Sequence, residues 1–214
     1  MTPLLWEVLM SYNDPSLINT QEAMADKMAQ ILNLIPFIDM TDDNLHETPK
    51  RIARMYTEVF WGLDPANLPR MTTFPSESPN LGMIGTGKIF FTSFCAHHLL
   101  PFTGYAHCFY IPYDRVLGIS KFTRIVNYYA ARPQIQERLA TQIADHIMQV
   151  TDCEGCFVVL RATHGCMQCR GVKQEGAVMV TSVIRPYDWE EGPVGPFAKF
   201  ETRNEALMLM EMEK

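Results

Sequence analysis

Residues 93–112 read SFCAHHLLPFTGYAHCFYIP, and this stretch combines strand-like runs with residue types that bind metals. The runs KIFFTSF (88–94) and YAHCFYIP (105–112) are rich in aromatic and apolar residues, a composition typical of β-strands. Between them, LLPFTG (99–104) contains Pro and Gly and indicates a turn. The stretch therefore predicts two strands that pair in an antiparallel manner.

Two helices are predicted before this strand pair. Residues 19–35 carry apolar side chains at helical spacing, and Asn19 is expected to be the N-cap. The next helix has Thr48 as its expected N-cap and Pro49 at its first position, and it stops near Gly62.

Two helical segments and then two strand-like segments are predicted after the strand pair. The helical segments are 120–130 and 133–150, and the strand-like segments are 156–163 and 176–184. Pro133 is expected to open the second of these helices, and a helical tail is expected from about Thr202. Paired strands that alternate with paired helices predict an α+β fold with a mainly antiparallel sheet.

The composition excludes several classes of function. The chain has 18 basic and 24 acidic residues, and a formal net charge of −6 argues against nucleic-acid binding through a basic surface. No apolar run approaches the roughly 18 residues that a bilayer span needs, so we expect no association with a membrane. The N-terminus lacks the pattern of a secretory signal, so we expect a cytoplasmic protein with reduced cysteines.

The cysteines allow two arrangements of a metal site. The first uses two C-x-x-C pairs, Cys153 with Cys156 and Cys166 with Cys169, in the manner of a closed zinc ribbon that serves interactions and not catalysis. The residues between the pairs read as a buried strand, which argues against a ribbon. On the residues alone, the ribbon stays open as an alternative.

The second arrangement uses Cys95, His98 and Cys166. Three protein ligands leave one tetrahedral position for water, which is what a catalytic zinc ion requires. Cys95 and His98 can converge only if the chain turns between them, and the nearby proline favours a turn. His97 would then point away, toward a substrate.

The other histidines divide into one candidate and a structural set. His164 and Cys166 are two positions apart, so on extended chain they share a face, and a proton carrier would lie beside a metal ligand. His46, His107 and His146 are interpreted as hydrogen-bonded structural residues or surface residues.

Several of these motifs together resemble GTP cyclohydrolase I. The resemblance rests on SFCAHHLLPFTGYAHCFYIP, GISKFTRIV, RPQIQERLATQIAD, ATHGCMQCRGV and TPKRIARMYTEVFWGL, and it runs from about Thr48 to Ser182. It implies a tunnelling fold, in which an antiparallel sheet with helices on one face is closed into a barrel by oligomerisation. It also implies a homodecamer with active sites between subunits. The implied segments are a helical N-terminal segment, 1–65, and a catalytic domain with a helical tail, 66–214.

The resemblance also implies the reaction and the residues that serve it. The reaction opens the imidazole ring of GTP, releases C8 as formate and recloses the product as 7,8-dihydroneopterin triphosphate, a start for pterin and folate synthesis. The implied roles, position by position, are these: Zn²⁺ ligands Cys95, His98 and Cys166; proton transfer by His97 to the purine N7 and by His164; ribose rearrangement by Ser120; guanine recognition by Glu137 with Gln136; and triphosphate binding by Lys121, Arg124 and Arg170.

The chain departs from the family pattern at two positions. Ala96 stands where the family usually has Glu, so a carboxylate beside the metal ligands is missing. Cys169 stands where Met or another residue is more usual. Because of these departures, two further interpretations stay open. The chain could be a related tunnelling-fold enzyme that acts on another purine or pterin, or a family member whose chemistry is impaired.

Overall fold

The fold is described from a computed structural model that covers residues 15–77 and 82–211. The chain divides into two compact units, residues 1–67 and 68–214. The N-terminal residues 1–14, on which the expectation about the cellular compartment depends, lie outside the described residues. No helix in the described ranges is long and apolar enough to cross a membrane.

The first unit contains the two predicted helices. Helix α1 spans Pro15–Leu34 and α2 spans Thr48–Val59, and the Gln21 amide donates a hydrogen bond of 2.8 Å to the Thr57 hydroxyl. The predicted caps are wrong. Helix α1 begins before Asn19, and the α2 N-cap is Glu47, because the Thr48 hydroxyl donates back to Asn44 O at 3.4 Å.

A five-stranded sheet forms the second unit. Its strands are β2 Ile84–Cys95, β3 Pro101–Ile111, β5 Pro133–Gln134, β6 Gly155–His164 and β7 Met179–Arg185. Their order in the sheet is β5-β2-β3-β6-β7, with β5 parallel to β2 and every other pair antiparallel. Short strands β1 (Thr73–Pro75) and β4 (Arg115–Leu117) pair with each other, as do β8 (Tyr187–Asp188) and β9 (Gly192–Pro193). The sheet therefore confirms the predicted strand pair and extends both of its strands.

The strand register gives the sheet two distinct ends. At one end, Phe102 pairs with His164 and Phe94 pairs with Pro101, close to the turn that joins β2 and β3. This end is called the hairpin end. At the other, the distal end, the pairs Ile84–Tyr110, Tyr110–Cys156 and Cys156–Arg185 follow each other across the sheet.

Helices α3 (Ile119–Ala130) and α4 (Gln136–Thr151) lie on one face of the sheet, α3 against β2 and α4 against β6 and β7. The face of α4 that packs on the sheet repeats at helical spacing, with the fully buried residues Leu139, Ala140, Ile143, Ala144 and Ile147. The core of the unit therefore lies between these helices and the sheet.

Pro133 does not open α4 as predicted. Pro133 and Gln134 form β5 beside the end of β2, and the helix begins at Gln136 after an extended Ile135. The Gln134 carbonyl accepts the Ala96 N–H at 2.8 Å, so the sheet holds this segment extended.

Within the described residues of the second unit, the opposite face of the sheet is covered only in part. Helix α5 is a single turn (Gly165–Gln168), and α6 (Phe200–Glu211) packs with Phe197 against Phe109 and Phe157 in the distal half of that face. The prediction of helices on one face therefore holds for α3 and α4 and not for α6. Toward the hairpin end, the paired Phe90 and Tyr105 are exposed.

Candidate functional site

The turn at the hairpin end is tight. The N–H groups of His98 and Leu99 both donate to the Cys95 carbonyl, at 3.3 and 2.8 Å, and the Cys95 N–H donates to Leu100 O at 2.9 Å. Leu99 adopts a left-handed conformation with φ of 51°. This geometry confirms the turn expected between Cys95 and His98, whereas residues 101–104 of the predicted LLPFTG turn lie in β3. The turn brings His98 back over the end of β2.

Three side chains converge at this turn. The ligand atoms of Cys95, His98 and Cys166 all lie within 4.8 Å of one another. Cys166 follows β6, which lies on the other side of β3 from β2. The pairing of β3 with β6 ends at Phe102–His164, so Cys166 comes just after the last paired residue, at the hairpin end. Beyond His164 the chain coils into α5, so the prediction that His164 and Cys166 share a face on extended chain is wrong.

The three side chains fit a zinc ion. Zn–S bonds of about 2.3 Å and Zn–N bonds of about 2.0 Å place neighbouring tetrahedral donors roughly 3.5 to 3.8 Å apart. The three ligand atoms, which lie within 4.8 Å of one another, would therefore move closer by at most about 1 Å when zinc binds. Burial raises the pKa of the Cys166 thiol, and the neighbouring Cys95 thiol raises it further. A dication relieves the repulsion between two such sulfurs once both are ionised. No second group of three or more Cys, His, Asp or Glu side chains with this spacing occurs among the described residues.

Two further side chains contact the metal-binding group. An Arg170 guanidinium N–H donates to His98 Nε2 at 2.6 Å, which places a cation beside the group. His97 is exposed, but its Nδ1 lies 3.7 Å from Cys95 Sγ. The ring therefore does not point away from the metal ligands as predicted, because the turn winds around the Cys95 carbonyl and keeps the next side chains close.

His164 is the last residue of β6 and is packed against side chains of β3 and α4. Its ring stacks on Phe102 with the ring centres 4.6 Å apart and the planes 2° from parallel. Its Nε2 is 2.8 Å from Gln136 Oε1. Burial lowers the pKa of His164, and the nearby Glu137 charge raises it by a smaller amount. The imidazole is therefore favoured in its neutral form near pH 7.

The N-terminus of α4 brings Gln136 and Glu137 to this end of the sheet. Glu137 is exposed in the first turn of the helix, where the helix dipole stabilises a carboxylate. Gln136 is only 3% exposed, and its amide NH₂ donates to Leu160 O at 3.2 Å and to Met179 O at 3.1 Å. Both donor hydrogens of the Gln136 amide are therefore used within the chain, and the contact of Gln136 with substrate stays a prediction.

A residue that the sequence did not single out holds α4 in place. The buried Gln134 donates to Tyr129 O at 2.8 Å and to Gln142 Oε1 at 2.7 Å, and it accepts from Arg138 Nε at 2.7 Å. Its own carbonyl accepts the Ala96 N–H of the metal turn. This network ties the turn to the start of α4, and no local pattern in the sequence indicates it.

The structure does not bring Ser120, Lys121 and Arg124 to the hairpin end. All three lie in the first half of α3. That half begins next to Leu117, whose N–H donates to the Tyr110 hydroxyl at 2.8 Å near the distal end. The helix runs back toward the hairpin end, so Ser120 and Ala130 are roughly 15 Å apart along its axis.

A third cation accompanies these basic residues. Loss of hydration lowers the pKa of the Lys121 ammonium, and the positive charges of Arg124 and Arg70 lower it further. Arg70 is exposed and follows the first unit in a Pro-containing loop. The sequence offers no local signal that would have grouped Arg70 with the other two.

The zinc-ribbon arrangement is contradicted by the position of its two halves. Cys156 begins β6 at the distal end, whereas Cys166 follows the strand at the hairpin end, and the intervening strand spans roughly 27 Å. Cys153 is buried, and its Sγ donates to the Gly155 carbonyl at 3.4 Å. Cys169 is exposed and is not part of the convergent group.

Two of the structural histidines, His46 and His146, are confirmed as such. His146 is buried, and its Nδ1 lies 3.0 Å from the Tyr129 hydroxyl. His107 is buried within β3, and the His46 Nδ1 lies 3.1 Å from Asp43 O at the surface.

Comparison with known proteins decides the family. The family model described as GTP cyclohydrolase I matches residues 19–191. The chain belongs to the GTP cyclohydrolase I family. The resemblance drawn from the sequence motifs is confirmed, and with it the assignment to this enzyme family.

Curated members of the GTP cyclohydrolase I family cover most of the chain. GTP cyclohydrolase 1 of Dehalococcoides mccartyi is 49% identical over 151 residues, which are 69% of this chain and 78% of that protein. GTP cyclohydrolase 1 of Finegoldia magna is 42% identical over 174 residues, 80% of this chain and 89% of that protein. For Vibrio cholerae the identity is 40% over 165 residues, 77% and 76% of the two chains. The region matched by the family model, residues 19–191, contains Cys95, His98 and Cys166.

Proposed function

We propose that the chain hydrolyses GTP with the help of zinc and converts it to 7,8-dihydroneopterin triphosphate and formate. One observation carries the proposal: the ligand atoms of Cys95, His98 and Cys166 converge within 4.8 Å at the same end of the sheet as His164 and Glu137. Family membership supplies the reaction class.

Cys95, His98 and Cys166 would hold the zinc ion, and two of these residues are carried on the turn and on α5. When bound, zinc supplies Lewis acidity that activates water for attack on the purine C8. The sulfur ligands are half-buried or buried, whereas His98 is exposed toward solvent, so substrate approaches from the histidine side.

His97 and His164 move the protons. His97 is exposed beside Cys95, so its ring reaches a substrate at the turn and protonates the purine N7. His164 is neutral near pH 7, because burial lowers its pKa, and it accepts a proton from the reacting group. The stack on Phe102 fixes the plane of the His164 ring for this transfer.

Glu137 recognises the guanine base. Its exposed carboxylate lies at the N-terminus of α4, and it accepts hydrogen bonds from the N1–H and N2–H groups of guanine. The dipole of α4 stabilises the charge that this contact requires. Adenine lacks this donor pair, so the carboxylate selects guanine.

The triphosphate is bound by cations from two copies of the chain. Arg170 lies against the metal-binding group, whereas Lys121 and Arg124 lie in the distant half of α3 of the same chain. We therefore propose that Ser120, Lys121 and Arg124 reach the site from a second copy in a decameric assembly. Each close cation–phosphate pair contributes on the order of 4 kcal/mol of attraction at an effective dielectric of 20, which offsets the net charge of −6.

The direct test of the reaction is incubation of zinc-loaded protein with GTP. Formate and a fluorescent oxidised pterin are the expected products. Protein that binds zinc and GTP but releases neither product would contradict the catalytic proposal and leave the fold intact.

The shared site is tested by mixing two inactive variants. Cys95→Ser lacks the metal half, and the double variant Lys121→Ala, Arg124→Ala lacks the phosphate half. Co-expressed in equal amounts, they should recover roughly a quarter of wild-type turnover, because random association reunites both intact halves in that share of sites. Cys95→Ser mixed with His98→Ala, both in the metal half, is the matched control and should stay inactive. Mixed oligomers without recovered turnover would show that one chain supplies both halves.

A further inference from the structure

The buried amide of Gln136 connects helix α4 with strands β6 and β7 toward the hairpin end. Gln136 is the first residue of α4, it is 3% exposed, and its Nε2 donates to Leu160 O in β6 and to Met179 O in β7. Carbonyl oxygens only accept hydrogen bonds, so the NH₂ group must face them. The orientation of the amide is thereby fixed, and Oε1 faces His164.

This orientation determines the tautomer of His164. The amide oxygen of Gln136 only accepts, so the His164 Nε2 at 2.8 Å must carry a hydrogen. A neutral imidazole has one N–H, so Nδ1 is the nitrogen with the free lone pair. Within the described part of the chain, no hydrogen-bond partner occurs for His164 Nδ1.

The ring itself has little freedom to change this arrangement. Phe102 is 1% exposed and stacks on the imidazole with the planes 2° from parallel. A 180° flip of the ring about the Cβ–Cγ bond would place the Cε1 carbon where Nε2 lies, and it would leave the buried Gln136 oxygen without its N–H donor. Gln136 therefore favours one ring orientation as well as one tautomer.

We propose that Gln136 is a positioning residue, which holds His164 as the Nε2–H tautomer and leaves Nδ1 as the atom that exchanges a proton with the substrate. In the transfer, Nδ1 accepts a proton from the reacting group, the ring becomes imidazolium, and the Nε2–H bond to Gln136 stays in place. Nδ1 then gives this proton back to the reacting group, and the ring is neutral again. The inference rests on the proposed role of His164 as the proton carrier, and it replaces the predicted contact of Gln136 with guanine.

The first test reads the tautomer directly in the wild-type protein. Solid-state ¹⁵N spectra of the zinc-loaded full chain, labelled at histidine, distinguish a protonated from an unprotonated ring nitrogen, and His164→Gln identifies the signal. We expect a protonated Nε2 and an unprotonated Nδ1 for His164. A protonated Nδ1 would overturn the inference. This measurement requires no variant of Gln136 to fold.

The second test separates positioning from substrate binding. Gln136→Met keeps the length of the side chain and removes its amide. We expect kcat to fall roughly 10- to 100-fold, a part of what acid–base catalysis contributes, while KM for GTP changes less than about 3-fold. Mixed tautomers should appear in the ¹⁵N spectrum of this variant. An unchanged kcat with a raised KM would return Gln136 to base recognition and contradict the inference.

The outcome also distinguishes this inference from the proposed function. If His164→Gln kept full turnover, the role of His164 as proton carrier would be wrong, whatever its tautomer. If His164→Gln lost turnover and the wild-type spectrum showed a protonated Nδ1, the proton carrier would stand and the role of Gln136 would fall.

Discussion

The two C-x-x-C pairs lie at opposite ends of the same strand, β6, and their surroundings differ sharply. Cys153 and Cys156 at the distal end are buried, and burial raises the pKa of the Cys156 thiol well above its ordinary value. Cys166 is half-buried at the hairpin end, with Cys95 and His98 beside it. Spacing alone therefore does not make a metal site.

The difference shows what a metal site requires beyond ligand types. A thiol must ionise to bind zinc, and an apolar interior opposes that ionisation. At the distal end a further buried thiol, Cys108, has its pKa raised to about 12 by burial. No histidine or carboxylate joins a group of three with these cysteines in the described residues. The distal thiols therefore serve packing.

The largest effect is expected when a single cysteine is replaced at the hairpin end and compared with a single cysteine replaced at the distal end. Cys95→Ser should abolish bound zinc and lower turnover by about 10³-fold or more, since the metal contributes several kcal/mol to the transition state. Cys156→Ala, the matched change at the distal end, should keep zinc and turnover and lower the free energy of unfolding by roughly 1 kcal/mol. Metal analysis of the two purified variants checks this. Zinc lost from Cys156→Ala and kept in Cys95→Ser would reverse the comparison.

A smaller effect is expected when a glutamate at the hairpin end and a glutamate at the distal end are each replaced by glutamine. Glu137→Gln at the hairpin end should lower kcat/KM for GTP roughly 10- to 100-fold, because a charged acceptor of two hydrogen bonds is lost. Glu154 is an exposed residue at the distal end, and Glu154→Gln should change kcat/KM less than about 2-fold, as surface substitutions usually do. Steady-state kinetics with GTP measures both. Equal effects of the two changes would remove Glu137 from base recognition.

The smallest effect concerns the pH dependence of stability that His146 in α4 contributes. Burial lowers the pKa of His146, so the unfolded chain binds a proton more readily than the folded chain. The stabilising contribution is complete above the unfolded value near 6.5, and it is lost as the pH falls from there toward the folded pKa. Urea unfolding at several pH values should show a weaker pH dependence for His146→Gln than for the wild type. Parallel curves would show that His146 does not contribute.

The metal turn and the strand pair were predictable because they depend on residues close together in sequence. Cys95, His98 and the nearby proline define a turn through local geometry, and the aromatic runs on either side define the strands. The third ligand, Cys166, was predicted from the family resemblance and from its ligand type. Its approach depends on the register of β3 with β6, which single-residue patterns do not specify.

The remaining features depend on contacts between distant parts of the chain. Gln136 and Glu137 are adjacent in sequence, yet one is buried against carbonyls of β6 and β7 and the other is exposed. Pro133 has the sequence context of a helix start, but pairing with β2 holds it in a strand. The separation of Ser120 from the metal turn follows from the direction of α3, which no motif encodes.

The most direct test of the account is zinc X-ray absorption spectroscopy of the purified chain. A site built from Cys95, His98 and Cys166 predicts a first shell of two sulfurs at about 2.3 Å and two lighter atoms, nitrogen or oxygen, at about 2.0 Å. Four sulfurs around the ion, or a chain purified without zinc that does not take it up, would contradict the central claim.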